Sequence, residues 1–173
     1  MMLNEKIANL MNEQINKELY SAYLYLEFAN KLEDDGLNGF ANWYFIQAQE
    51  ERDHAMIFRN YLLDNGVRVT LDAIAKPTDT FKTVDEILRA GLGHEEFITA
   101  SINNIYAEAF ALKDFKSMQF LDYFVKEQVE EEKNANDMIS KYKLFGSDPK
   151  GLYMLNNELE GRVYTPSSML TAK

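Results

Sequence analysis

Four long stretches of this chain repeat their apolar residues every three or four positions, and little glycine or proline interrupts them. The strict alternation that marks a strand never persists, so the spacing predicts an all-α protein built from long amphipathic helices. The first helix runs from about Asn4 to Lys31, with Asn4 as its cap and Glu5 in its first turn. Gly36 and Gly39 mark the turn into the second, which continues to about Leu63 and stops at Asn65-Gly66. Thr83-Val84-Asp85-Glu86 is a capping box that opens the third helix, which reaches about Leu112. Asp114 caps the fourth, which ends near Phe145-Gly146. After Pro149, the residues from Gly151 to Glu160 make one short fifth helix. Residues 1–160 form one domain, and the tail 161–173, with its Thr165-Pro166-Ser167-Ser168 run, reads as loosely ordered.

Loop lengths fix the topology. The joints between the first and second and between the third and fourth helices are a few residues long and make antiparallel hairpins, whereas residues 65–82 carry no helical pattern. A helix of ~28 residues is about 42 Å long, and ~15 extended residues span about 50 Å. The long joint therefore crosses the whole bundle and sets the second and third helices parallel, in a four-helix bundle with one crossover.

Composition narrows the function. With no cysteine among 173 residues, disulfides, thiolate metal sites, iron–sulfur clusters and cysteine nucleophiles are excluded. A net charge of −10 disfavours nucleic acid and anionic membranes and suits the attraction of cations. No apolar run approaches the roughly 18 residues a membrane span needs. Asn4, Glu5 and Lys6 interrupt any apolar leader, and the absence of cysteine is compatible with the cytoplasmic setting expected here.

Each helix carries a metal-ligand residue type in the middle of its apolar stripe. On the first, Ile7, Met11, Gln14, Glu18, Ser21, Tyr25, Phe28 and Leu32 share a face with Glu18 at its centre. The second presents Phe40, Tyr44, Gln47, Glu51, His54, Phe58 and Tyr61, and the third Val84, Leu88, Gly91, Glu95, Ile98, Ile102 and Ile105. The fourth presents Met118, Leu121, Val125, Gln128, Glu131, Ala135 and Met138. These polar groups meet in one layer at the waist of the bundle. A buried carboxylate without a partner costs several kcal/mol, so such a layer requires positive charge between the helices, and bound cations supply it most simply.

Glu51 and His54 lie three apart, the spacing at which a carboxylate and an imidazole on one helix hold the same ion. Alone, Glu-x-x-His is a weak signal, because acidic helices also offer it on solvated faces. It gains force once Glu18, Glu95 and Glu131 share the layer. Oxygen-rich ligands with one imidazole select iron(II), manganese(II) or zinc(II) and argue against copper(I) and haem. The four glutamates Glu18, Glu51, Glu95 and Glu131, if ionised, balance two divalent cations, with Glu51 as the natural bridge.

Three motifs carry a resemblance that spans essentially the whole chain. Asn12-Glu13-Gln14-Ile15-Asn16-Lys17-Glu18-Leu19-Tyr20-Ser21, Ala48-Gln49-Glu50-Glu51-Arg52-Asp53-His54 and Glu127-Gln128-Val129-Glu130-Glu131-Glu132-Lys133 resemble the ferritins, specifically the bacterial non-haem type. The resemblance implies an iron storage protein: a hollow 24-subunit cage, a homo-oligomer, that oxidises iron(II) with dioxygen or hydrogen peroxide and keeps iron(III) as a mineral. It assigns Glu18, Glu51 and His54 to one iron of a di-iron ferroxidase centre, and Glu51, Glu95 and Glu131 to the second, with Gln128 beside them as ligand or neighbour. Tyr25 lies seven residues after Glu18 on the same face, where spacing alone reads it as a core tyrosine. The resemblance makes it a hydrogen-bonding neighbour of the centre and an electron donor. Glu50, Glu127 and Glu130 point off the stripe and read either as an ordinary solvated acidic face or, by resemblance, as a third iron site sharing Glu131.

Departures sharpen the match. Haem-containing bacterioferritins repeat Glu-x-x-His on the fourth helix and place methionine after the bridging glutamate, where this chain has Gln128 with Glu131, and Arg52, so haem is not expected. The DNA-protecting relatives build their site between subunits and often carry a basic tail, and rubrerythrin-like peroxidases need cysteines that are absent here. His94 points about 100° away from Glu95 on the same helix and reads as a surface or interface histidine. Asp114 and Asp122 lie where the family forms three-fold pores, although aspartates near a helix start are equally expected on dipole grounds.

Tyr20, Tyr23, Tyr25 and Phe28 point in too many directions for one buried stripe, which predicts a large homo-oligomer independently of the resemblance. Two other classes stay open: a non-catalytic acidic helical scaffold, and a di-iron oxidase acting on an organic substrate. The second needs an apolar pocket that reaches the metals.

Overall fold

The computed structural model describes residues 3–77 and 80–171; Thr78 and Asp79 of the crossover and Ala172 and Lys173 of the tail lie outside the described residues. Six helices follow one another: α1 (Glu5–Asp34), α2 (Asn38–Asp64), α3 (Val84–Ala111), α4 (Phe115–Phe145), α5 (Pro149–Glu160) and the single turn α6 (Ser168–Thr171). No strand occurs among the described residues.

The caps expected from the sequence form. The Asn4 side chain accepts from the Lys6 backbone N–H at 2.9 Å, and Thr83 and Glu86 complete a reciprocal capping box on α3. Asp114 accepts from the Ser117 N–H at 3.1 Å, which satisfies a first-turn donor of α4. Gly36 and Gly66 end the first two helices with φ of 76° and 74°, in the left-handed region that glycine enters without steric cost. The fifth helix starts at Pro149 rather than Gly151, because Asp148 caps it by accepting from the Gly151 N–H at 2.7 Å. Proline is at home in that first position, where a helix leaves its N–H unbonded anyway.

α1 packs against α2 and α3 against α4, and the joint between the hairpins runs the length of the bundle. Val67 and Val69 pack against one end of the core and Phe81 against the other. Asn12 pins the joint to α1 by donating to the Thr70 carbonyl at 2.8 Å, and Asn16 does so by donating to the Ala73 carbonyl at 3.2 Å. This is a four-helix bundle with a single crossover.

The core comes in two pieces. One is built from Leu24, Phe28, Phe40, Tyr44, Leu88 and Met138 with their neighbours, the other from Ile7, Met11, Phe58, Ile98, Ile102 and Phe124 with theirs. Between them every long helix contributes polar residues. On α4 the buried face passes through Leu121, Phe124, Gln128 and Glu131, and Val125 is exposed. A strict four-residue step from Leu121 overshoots the helical period, and Phe124, three residues on, takes the core position.

The tail also differs from expectation. It is held against α2, where the buried Asp53 carboxylate accepts from the Tyr164 hydroxyl at 2.7 Å and from the Ser167 N–H at 3.3 Å. A composition rich in serine, threonine and proline carries no sign of a carboxylate waiting 111 residues earlier in the chain.

A candidate metal centre at the waist of the bundle

Between the two apolar pieces, Glu18, Glu51, His54, Glu95, Gln128 and Glu131 are all buried, with Glu18 wholly removed from solvent. Glu18, Glu51 and His54 offer ligand atoms that all lie within 4.8 Å of one another. His54 Nδ1 stands 3.3 Å from Glu51 Oε2, as two groups one helical turn apart can. Gln14 donates to Glu18 Oε1 at 2.9 Å and itself accepts from the Ser101 hydroxyl at 2.6 Å, while Lys17 Nζ stands 2.7 Å from that hydroxyl. Glu18 Oε2 has no hydrogen-bond donor of its own. A buried carboxylate oxygen with no donor is costly to keep, and a cation between Glu18, Glu51 and His54 would satisfy it.

Glu95 and Glu131 stand in the same layer but are steadied by donors of their own. Glu95 accepts from the Tyr25 hydroxyl and from Gln128 Nε2, the latter at 3.0 Å. Glu131 accepts from Gln47 Nε2 at 2.8 Å, and Gln47 Oε1 is left unpartnered. Tyr25 is buried against Phe28, Tyr44 and the His94 ring.

The electrostatics follow from crowding acid in a dry place. Burial pushes Glu18 well above the ordinary carboxylate range, and the Glu51 charge adds to the rise. Burial does the same to Glu51, reinforced by the charges of Glu95 and Glu131. Glu95 is raised by burial against the opposing hydrogen bonds from Tyr25 and Gln128. Glu131 is pushed up to about 7 by burial and by Glu95. The layer as it stands is short of positive charge, and cations would restore all four carboxylates to their ionised form.

Glu50, Glu127 and Glu130 line a recess of about 120 Å³ that also reaches His54 and Glu131. Glu130 is exposed, Glu50 and Glu127 are half-buried, and Glu50 is paired with Arg162 at 2.6 Å. Against Glu95 and Glu131 on the other side, beside Tyr25 and Gly91, there is a cavity of only about 20 Å³. His94 sits half-buried at the α1–α3 seam, its Nε2 2.8 Å from the Ser21 hydroxyl, and burial lowers its pKa to about 4. Asp122 accepts from the Tyr106 hydroxyl at 3.0 Å.

Sequence reasoning set Gln14 and Gln47 on the buried stripes without giving either a role, and it missed Arg162. Gln14 sits one turn before the Glu18 it donates to, a spacing that could have marked it as a donor, whereas Gln47 donates across the bundle to Glu131, which no spacing on α2 could show. Arg162 left no local signal, since its carboxylate partner is 112 residues away.

A one-crossover bundle with glutamates and a histidine at its waist defines the ferritin-like class of helical proteins, itself the standing example of that topology. The sequence profile of the ferritin-like domain matches residues 8–145. The chain is 35% identical over 159 residues to the bacterial non-heme ferritin of Campylobacter jejuni, covering 92% of this chain and 95% of that protein. It is 34% identical over 158 residues to a probable bacterial non-heme ferritin-like protein of Haemophilus influenzae, covering 91% and 96%. Among solved structures, the open pore ferritin of Archaeoglobus fulgidus superposes with a TM-score of 0.91 at 38% identity, over 93% of this chain and 99% of that one. The chain belongs to the ferritin family. Among the described residues no helix is long and apolar enough to cross a membrane.

Proposed function

We propose that this protein is a cytoplasmic iron store that oxidises iron(II) within each bundle and keeps iron(III) as a mineral inside a 24-subunit cage. The observation that carries the reading is the buried convergence of Glu18, Glu51 and His54 around a carboxylate oxygen with no hydrogen-bond donor. In this reading Glu18, Glu51 and His54 hold one iron(II), and Glu51, Glu95 and Glu131 hold the second, with Gln128 beside them. Glu51 bridges.

The chemistry then needs little from the protein beyond placement. Two iron(II) ions each release one electron, and the pair takes dioxygen to peroxide or hydrogen peroxide to water, with two protons consumed in either case. The glutamates move from shared protons to full negative charge as iron enters, which lowers the cost of the higher oxidation state. Tyr25 steadies Glu95 and is an oxidisable side chain in direct contact with a ligand. Glu50, Glu127 and Glu130, sharing Glu131, form a third iron site through which product leaves for the cavity. The cavity against Glu95 and Glu131 is about 20 Å³, room for about one water, and the recess of about 120 Å³ that reaches His54 and Glu131 is lined mainly by charged and polar side chains, which together disfavour an oxidase acting on an apolar organic substrate.

The test is anaerobic iron(II) titration followed by air. A storage cage continues to take up iron far beyond the stoichiometry of its sites, an oxidase stops at a few irons per chain, and a scaffold shows no saturable binding. Glu51→Ala or His54→Ala abolishes the fast oxidation phase while leaving the assembly intact; unchanged initial rates would contradict the assignment.

A further inference from the structure

The carboxylates of the recess do not stand alone. Arg162, two residues beyond α5, lines the same recess with Nη2 2.6 Å from Glu50 Oε2. Its guanidinium carbon is 4.0 Å from the centroid of the Trp43 ring, and Nη1 donates to the Trp43 carbonyl at 3.3 Å. The backbone around it is fastened as well: Asn42 Nδ2 donates to the Arg162 carbonyl at 3.0 Å, and Tyr164 and Ser167 are tied to Asp53 further along α2. The Ser167 hydroxyl is also 3.0 Å from the Tyr123 hydroxyl on α4. Asp53, buried on the wall of the same recess, anchors this segment by accepting from Tyr164 and Ser167.

Arg162 is the one lysine or arginine among the described residues lining a recess that reaches both His54 and Glu131. We propose that Arg162 is a resident counter-cation at the mouth of the dinuclear centre, and that a metal ion passing between the centre and the recess must displace it from Glu50. The proposal rests on the dinuclear reading given above. Physically, the recess exchanges one cation for another. A fixed guanidinium neutralises Glu50 when no metal is present, and an ion of higher charge outcompetes it because attraction to a carboxylate scales with charge. The segment 162–167 thereby limits how quickly the centre clears its product. Arg162 is a positioning residue and touches no reacting atom.

Trp43 is the only tryptophan in the chain, so its emission reports on the stacked guanidinium directly. Zinc(II), which is redox-inert, titrated into the metal-free oligomer is expected to change Trp43 emission in the natural protein and in Arg162→Lys. In Arg162→Ala the starting emission is already shifted and zinc(II) changes it no further. Two successive pulses of iron(II) in air separate the centre from its mouth. In Arg162→Ala the first pulse is oxidised at the natural rate, and recovery of the fast phase before the second pulse is about threefold quicker, the effect expected for losing one half-exposed ion pair. Unchanged recovery, or natural protein whose emission ignores zinc(II), overturns the proposal. Absence of a fast phase in the natural protein's first pulse would instead remove the dinuclear reading itself, and the gate with it.

Discussion

Glu18, Glu51, Glu95 and Glu131 are all raised by burial, and that gives the metal-free protein an inverted pH response. Their folded pKa values lie above those of an unfolded chain, so the folded state holds protons that the unfolded state has lost. Their contribution to stability is complete below the ordinary carboxylate pKa and is lost as pH rises through the folded values, Glu131 giving way at about 7. The melting temperature of metal-free protein is therefore expected to fall between about pH 5 and about pH 8, and zinc(II) should abolish the fall by replacing the protons. Calorimetry across that range checks it; a melting temperature indifferent to pH in the absence of metal would count against a desolvated layer. At this scale the sequence was informative wherever helical spacing rules. Glu51 and His54 three apart, and a glutamate at the centre of each other stripe, are legible in the sequence because a helix puts residues of that spacing on one face. What the period could not resolve was a choice between adjacent candidates, as with Phe124 and Val125, or a donor from a distant segment, as with Gln47 for Glu131 and Arg162 for Glu50.

Helices carry their own requirements, and α2 meets one of them by borrowing. Leu37 precedes it and has no side chain with which to cap, so the Asn156 carboxamide of α5 accepts from the Gly39 and Phe40 N–H groups at 2.9 and 3.3 Å. Gly39 also lets the helices touch, since a Cβ there would lie 1.7 Å from the Asn156 carbonyl oxygen. Asn156→Ala should cost about 1–2 kcal/mol, the scale of a lost cap, and Asn156→Asp should recover most of it by keeping the acceptor. Urea unfolding midpoints measure both, and equal losses in the two variants would show that the acceptor is not what matters. The short fifth helix was legible from the span that follows Pro149, but its service to α2 was not, because the two segments are 117 residues apart.

The molecule as a whole presents more apolar surface than a lone bundle needs. Tyr23 and Phe45 are half-exposed and, with Leu19, Leu26 and Ile74, line an open apolar recess of about 310 Å³ on the α1–α2 face. If the cage forms, that face meets a second copy, and Tyr23→Glu with Phe45→Glu should drive the assembly to smaller species by burying two unpaired charges at the contact. Light scattering distinguishes the outcomes, and an unaltered particle size would move the interface elsewhere. The aromatic excess of α1 pointed to assembly from sequence, yet where the contacts fall depended on which rings the bundle itself consumed: Tyr25 and Phe28 are buried within it and Tyr23 is not. The division of the apolar interior into two pieces has a mechanical corollary. A layer of acid cuts every long helix at mid-height, so the ends of the bundle are separate greasy plugs joined through an acidic seam. Filling that seam with ions would weld the plugs, and emptying it would let either end loosen without telling the other.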